Sequence, residues 1–261
     1  MILAIDVGNT NIVVGCIDSG RIFRVFRIST NSMRTADEYA AQINSLLMFH
    51  GIERSAIDGA VISCVVWPLT RVFMDAAKLL SGVSAIVVGA GIKTGVNILI
   101  DDPAQLGSDM VATAVGALVS YKLPVIICDL GTATKMSVLD KNGGFIGGAI
   151  IPGVALSMKA LASGTSQLPQ IPIEAPHRSI SANTIDCMKS GAVFGAAAQI
   201  DGMAERFEKE LGQTAQLVAT GGLAEAVYKH CKREIIFDPD LILKGLSIIY
   251  DKNKKSRITA V

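Results

Sequence analysis

The stretches "ILAIDVGNTNIVVG" (2–15) and "VIICDLGTATKMSV" (125–138) decide the fold, because the second repeats the plan of the first. Each is an apolar run that ends in Asp-x-Gly and passes into a patch of Asn and Thr. Laying Asp6 on Asp129 brings Gly8 onto Gly131 and Gly20 onto Gly143 without a gap. The pattern around them repeats as well. "ILAI", "IVVGCI" and "RIFRVFRI", joined by "DVGNTN" and "DSG", read as a three-strand meander. "PVIIC", "KMSVLD" and "FIGGAI", joined by "DLGTAT" and "KNGG", read as a second one. A supersecondary unit that recurs in this way indicates internal duplication.

A helical stretch follows each meander. After the first it is "TADEYAAQINSLLMF" (35–49), where Thr35 and Glu38 match the S/T-x-x-E capping pattern. After the second it is "GVALSMKALA" (153–162), with Pro152 just before it. Further βα units follow: strands at 56–66 and 84–89, helices at 68–80 and 103–122, one or two helices over 184–211, a strand at 216–222, and helices at 223–231 and 238–253. The expected class is α/β, with two domains (1–118 and 119–261), each a mixed sheet flanked by helices. The boundary falls around "SYKLP" (120–124).

Composition narrows the function. Half of the 261 residues are hydrophobic and 5% are aromatic, so the core is built from Ile, Val, Leu and Ala. A chain of this length buries most of its apolar surface. The net charge is +1, and the one compact like-charge run is "KNKK" (252–255). A nucleic-acid or anionic-membrane surface is not indicated. The five cysteines are scattered with no C-x-x-C, which gives neither a zinc knuckle nor a redox pair and fits reduced thiols in a cytosol. Met1 leads straight into a strand-like run carrying Asp6, unlike a secretion signal. No apolar stretch reaches the ~20 residues of a membrane helix. A soluble cytoplasmic protein is expected. His50, His177 and His230 are isolated, so a Ser/His or Cys/His hydrolase is unsupported.

Paired Asp-x-Gly turns suit phosphate. A glycine at a hairpin tip lets backbone approach a ligand, and the N–H groups of such a turn favour anions. Asn and Thr add donors, and an Asp at a strand end is an oxygen ligand for Mg²⁺. Two such turns facing each other would clamp a polyphosphate and its metal. A single "DVGNTN" reads equally well as an ordinary turn rich in turn formers; two at matched positions point to a nucleotide cleft. There is no G-x-x-x-x-G-K-[ST] loop and no strand-borne G-x-G-x-x-G. "VATGGLAE" (218–225) ends a strand in Gly221 and Gly222 and offers a flat wall for adenine.

These duplicated meanders with a late Gly-Gly resemble the acetate and sugar kinase, heat-shock ATPase and actin superfamily. Within it the chain most closely resembles type III pantothenate kinases. The supporting segments are "DVGNTN" (6–11), "DDPAQLGSDM" (101–110), "DLGTAT" (129–134), "GGAIIPGVALSMKAL" (147–161), "NTIDCMKSG" (183–191), "VATGGLA" (218–224) and "DPDLILKGL" (238–246). The resemblance implies two ribonuclease-H-like domains that close over ATP, and phosphorylation of pantothenate as the first step toward coenzyme A. It also implies a homodimer, Mg²⁺ and a monovalent cation (K⁺ or ammonium). Asp6, Val7, Gly8, Asn9, Thr10, Asn11, Ile12 and Val13 would hold the ATP phosphates, with Asp6 near Mg²⁺. Gly107, Ser108, Asp109 and Met110 would line the pantothenate pocket, with Asp109 as the base. Asp129 would bind the monovalent cation and Thr132 a phosphate, and Thr184 would touch pantothenate from the partner subunit. From spacing alone, Asp109 reads more readily as a first-turn acid that favours the helix dipole.

The chain departs from the family pattern at three positions. Met110 stands where Arg is common, Ile100 where Tyr often precedes "DDP", and Lys135 where Thr usually follows "GTAT". Lys135 reads as a solvated strand residue or as an ammonium that reaches Asp129 and replaces the monovalent cation. Gly147, Gly148, Pro152 and Gly153 either shape the substrate side of the cleft or serve tight helix–sheet packing. Two other functions stay open at this point: a kinase for another small alcohol, and a regulatory or accessory protein that binds nucleotide without turnover.

Overall fold

The computed structural model describes residues 1–254, and Lys255 of the basic run lies outside them. The first meander is β1 (Ile2–Val7), β2 (Asn11–Asp18) and β3 (Arg21–Ser29), each antiparallel to the one before. α1 (Ala36–Phe49) follows, capped by Thr35 and Glu38 in the expected reciprocal box. β4 (Gly59–Cys64), α2 (Trp67–Ser81) and β5 (Ile86–Val87) come next, and β4 and β5 extend the sheet parallel to β1. The order is β3-β2-β1-β4-β5.

After β6 (Asn97–Ile98) and α3 (Ser108–Ser120), the second meander is β7 (Val125–Leu130), β8 (Ala133–Leu139) and β9 (Gly144–Pro152). α4 (Val154–Gly164), α5 (Thr184–Leu211), β10 (Gln216–Thr220), α6 (Ala224–Val227), β11 (Ile235–Phe237) and α7 (Leu241–Lys254) complete the described chain. β10 lies parallel to β7, β11 parallel to β10, and β6 parallel to β9, giving the order β11-β10-β7-β8-β9-β6. Five strands of each sheet therefore share one order and one set of directions. β1 and β7 share a burial pattern too: each is apolar and buried except at Asp6 or Asp129. Central strands covered on both faces need this continuous apolar run.

The two copies match in register by compensation. In the first turn the bonded pair Gly8–Asn11 encloses Asn9 and Thr10; in the second, Gly131–Ala133 encloses Thr132 alone. The next turn reverses the deficit. Ser19 and Gly20 join β2 to β3, both at positive φ, whereas Lys141, Asn142 and Gly143 join β8 to β9. Gly20 (φ 80°) and Gly143 (φ 81°) take the left-handed conformation that closes each turn.

The described chain forms two compact units, each with its own core. The first core gathers Leu3, Ile5, Ile12, Tyr39, Ile43 and Phe73; the second gathers Ile126, Cys128, Met136, Ile200 and Leu217. The expected division at 118/119 is crossed twice. Residues 97–101 belong to the second unit, and α7 returns to the first. α7 goes there because Leu241, Leu243, Leu246 and Ile249 are buried, and because Gly245 lies so close to the Ala112 carbonyl that a Cβ would overlap it.

Several elements differ from the sequence reading. The helix expected from 103 starts at Ser108, because Asp102 instead caps a 3₁₀ turn at Pro103–Gln105. Residues 184–211 form a single helix. Residues 223–231 give only the short α6 and a 3₁₀ turn. β6 and β11 were not expected, being too short to carry a period. Among the described residues no helix is long and apolar enough to cross a membrane.

Candidate active site

Asp6 is the penultimate residue of β1 and stands in parallel register beside Ser63 of β4. Ser63 is fully buried, and its hydroxyl donates to Asp6 Oδ1 at 2.9 Å. Its oxygen also lies 3.1 Å from Ser108 Oγ, which accepts the Cys64 N–H at 3.0 Å. A hydroxyl has one proton. With Ser63 donating to Asp6, Ser108 must donate to Ser63. A directed chain therefore runs from the first turn of α3 to the Asp6 carboxylate.

Asp109 follows Ser108 in that turn, and the Met110 N–H donates to its Oδ1 at 2.8 Å. A Cβ on Gly107 would stand 2.5 Å from the same oxygen, so Gly107 makes room for the carboxylate. The structure thus brings Asp6, Gly107, Ser108, Asp109 and Met110 into one cluster within the first unit.

The first turn is braced by Thr30, the residue after β3. Thr30 Oγ1 donates to the Gly8 carbonyl at 2.7 Å and its N–H donates to the Thr10 carbonyl at 3.0 Å. Asn9, Thr10 and Asn11 are exposed at the tip, while the Val7 and Ile12 side chains lie in the core and Val13 is half-buried. Sequence reasoning missed Ser63 and Thr30. Ser63 left a trace as a hydroxyl inside the apolar run "GAVISC", but only the parallel register shows what it meets.

In the second unit Asp129, the penultimate residue of β7, lies directly opposite Lys135 of β8. Lys135 Nζ lies 2.7 Å from Asp129 Oδ2, and each side chain is only 18% exposed. Lys135 is therefore not a solvated strand residue. Gly221 approaches from the end of β10 with φ +96°; a Cβ there would stand 2.6 Å from Asp129 Oδ1 and 2.7 Å from the Leu130 carbonyl. Beside it Gly222 faces open space. Thr132 is exposed at the tip of its turn. A Cβ on Gly153 would overlap the Thr132 carbonyl, and one on Gly148 the Met136 carbonyl, so close packing accounts for both glycines.

Thr184 stands apart from these residues. It opens α5 after the N-cap Asn183, whose Oδ1 accepts the Asp186 N–H at 2.9 Å. It lines a groove of about 920 Å³ between α4 and α5 with Leu161, Leu168, Cys187 and Met188.

Among the described residues no three His, Cys, Asp or Glu side chains gather into a metal cage. Asp6, in the cluster of the first unit, is a carboxylate that could hold Mg²⁺ together with substrate phosphates. Burial pushes the Cys16 thiol up to about 11 and also raises that of Cys128, which makes both poor nucleophiles. His50 stacks on Phe26 and His230 meets Phe194 edge-on, both structural roles.

A family model described as type III pantothenate kinase matches residues 2–206. A type III pantothenate kinase of Exiguobacterium sibiricum is 41% identical over 254 residues, covering 97% of this chain and all of the relative. One from Exiguobacterium sp. (strain AT1b) is 38% identical over 255 residues, covering 98% of this chain and all of the relative. Among solved structures, a Campylobacter jejuni protein assigned to the Baf family of transcriptional activators superposes with a TM-score of 0.62 at 19% identity, covering 97% of this chain and 99% of that one. MreB5 of Spiroplasma citri, bound to ADP, superposes with a TM-score of 0.53 at 11% identity, covering 100% and 98%. At such identities these two likenesses show the fold alone. The match along nearly the whole chain goes further: this chain belongs to the type III pantothenate kinase family.

Proposed function

We propose that the chain transfers the γ-phosphoryl group of ATP to the primary hydroxyl of pantothenate, yielding 4'-phosphopantothenate, the first step of coenzyme A synthesis. Phosphoryl transfer asks a protein mainly for alignment and charge stabilisation. The observation that carries the reading is the chain Ser108–Ser63–Asp6, which fixes the start of α3, and so Asp109, relative to the end of β1. In this reading Asp109 accepts the proton of the pantothenate hydroxyl as the new P–O bond forms. Gly107, Ser108 and Met110 line the acceptor pocket. The backbone and exposed side chains of the 6–13 turn hold phosphate oxygens, and Asp6 would hold Mg²⁺ directly or through water. When bound, Mg²⁺ neutralises phosphate charge and aligns the reacting oxygens.

Within the second unit, Thr132 is read as a phosphate contact and the open backbone at Gly221 and Gly222 as an adenine contact. A monovalent cation does not fit at Asp129, where the Lys135 ammonium already lies 2.7 Å from Oδ2, and no step passes through such an ion. A second copy of the chain covers the groove between α4 and α5 and brings Thr184 to its partner's pantothenate. The apolar lining and the exposed Leu156, Leu161 and Ile185 nearby support that arrangement. All five cysteines are free, in keeping with a cytoplasmic enzyme.

The test is Asp109→Asn. Pantothenate-dependent ATP consumption should fall by about 10²–10⁴-fold, with nucleotide affinity by calorimetry unchanged. A variant that keeps its turnover would remove Asp109 as the base. A native chain that binds ATP but shows no pantothenate-dependent turnover would favour another acceptor or an accessory role.

A further inference from the structure

We infer that Lys135 is a built-in monovalent cation: its ammonium takes at Asp129 the place that a free K⁺ or ammonium ion would otherwise fill, so this chain works without one. The inference rests on the kinase reading for its purpose and on the second unit alone for its geometry.

Asp129 and Lys135 are a directly opposed pair on antiparallel strands, the arrangement that brings cross-strand side chains closest. The ammonium reaches Oδ2 at 2.7 Å, and both side chains are largely withdrawn from water. The other carboxylate oxygen, Oδ1, faces the backbone at Gly221, which no larger residue could approach. One face of the carboxylate is thus set against the strand-to-helix turn read as the adenine wall, and the other against a fixed positive charge. A lysine head group is chemically an alkylated ammonium ion with three donors and one positive charge. It therefore supplies what a free ammonium ion would supply, and a second cation at the same carboxylate would meet like charge at short range. The position belongs to β8, so the charge sits on a rigid strand.

The experiment compares native chain and Lys135→Ala at constant ionic strength in Na⁺, K⁺ and ammonium. It reads pantothenate-dependent ATP turnover and, separately, the affinity for a magnesium-bound non-hydrolysable ATP analogue. The native rate and affinity should change by less than about twofold between cations, as ionic strength is fixed. Lys135→Ala should lose about tenfold or more in Na⁺ and recover in ammonium, K⁺ or a short alkylammonium ion. A native chain activated about tenfold by K⁺, or a variant as active in Na⁺ as the native chain, would overturn the inference. If neither protein turns over pantothenate, the kinase reading fails while the affinities still decide the role of Lys135. If the variant does not fold, the response of the native chain to K⁺ decides it.

Discussion

Single residues carry the chemistry, and they differ in how far the sequence reveals them. Asp6 and Asp129 announce themselves through repeated motifs, and Asp109 through a resemblance. Ser63 does not, since one buried serine in an apolar strand has no local signature. Its removal should nevertheless be felt at the site. In Ser63→Ala, Asp6 loses a donor and Ser108 loses its acceptor, both in a partly buried setting. The expected costs are about 1–2 kcal/mol in stability, read by urea unfolding, and a weakening of magnesium–nucleotide binding by about fivefold to tenfold, read by calorimetry. Binding that stays native while stability drops would leave Ser63 a purely structural residue. Lys135 shows the opposite difficulty. It was visible as a departure from the family pattern, but whether it met water or Asp129 depended on the pairing register of two strands.

At the scale of elements, the meanders and the capping box were legible because periodic runs and cap pairs state their own structure, while 184–211 read as helical without showing whether it was one helix or two. Short pieces such as β6, β11 and α6 were not legible, since tertiary pairing creates them. The bend that leads into β11 is held to α5 by a forked pair: Arg233 Nη1 and Nη2 each reach a Glu208 oxygen at 2.7 Å. Those hydrogen bonds hold the Glu208 carboxyl below its usual value of 4.5 against an opposing effect of burial. A depressed folded value adds stability that is fully present above the unfolded value and is lost as pH falls through the folded one. Glu208→Gln should therefore lower Tm near neutral pH by an amount equivalent to roughly 1 kcal/mol. It should also flatten the decline of Tm below pH 4.5. Melting curves from pH 7 to pH 3 check both, and an unchanged acid limb would show that other carboxylates set it.

At the scale of the whole molecule, duplication explains why two sheets share one strand order, and composition anticipated an aliphatic core. What escaped the sequence was the exchange of segments between halves, because nothing local in "DPDLILKGL" says which core its leucines enter. The groove at α4 and α5 also belongs to this scale. Leu161→Asp places a charge on that apolar surface, and in sedimentation the variant should run as a monomer where the native chain runs as a dimer. Its turnover should fall by about tenfold or more as Thr184 is withdrawn from the partner. A native chain that sediments as a monomer and is fully active would end the dimer proposal. The return of α7 to the first unit has a consequence for synthesis on the ribosome. Residues 120–240 are all made before residue 241, so the second unit has its full set of strands while the first still lacks its closing helix. The half that is translated first is the last to be completed, and until then the part of its apolar surface that α7 covers stays open to water and to chaperones.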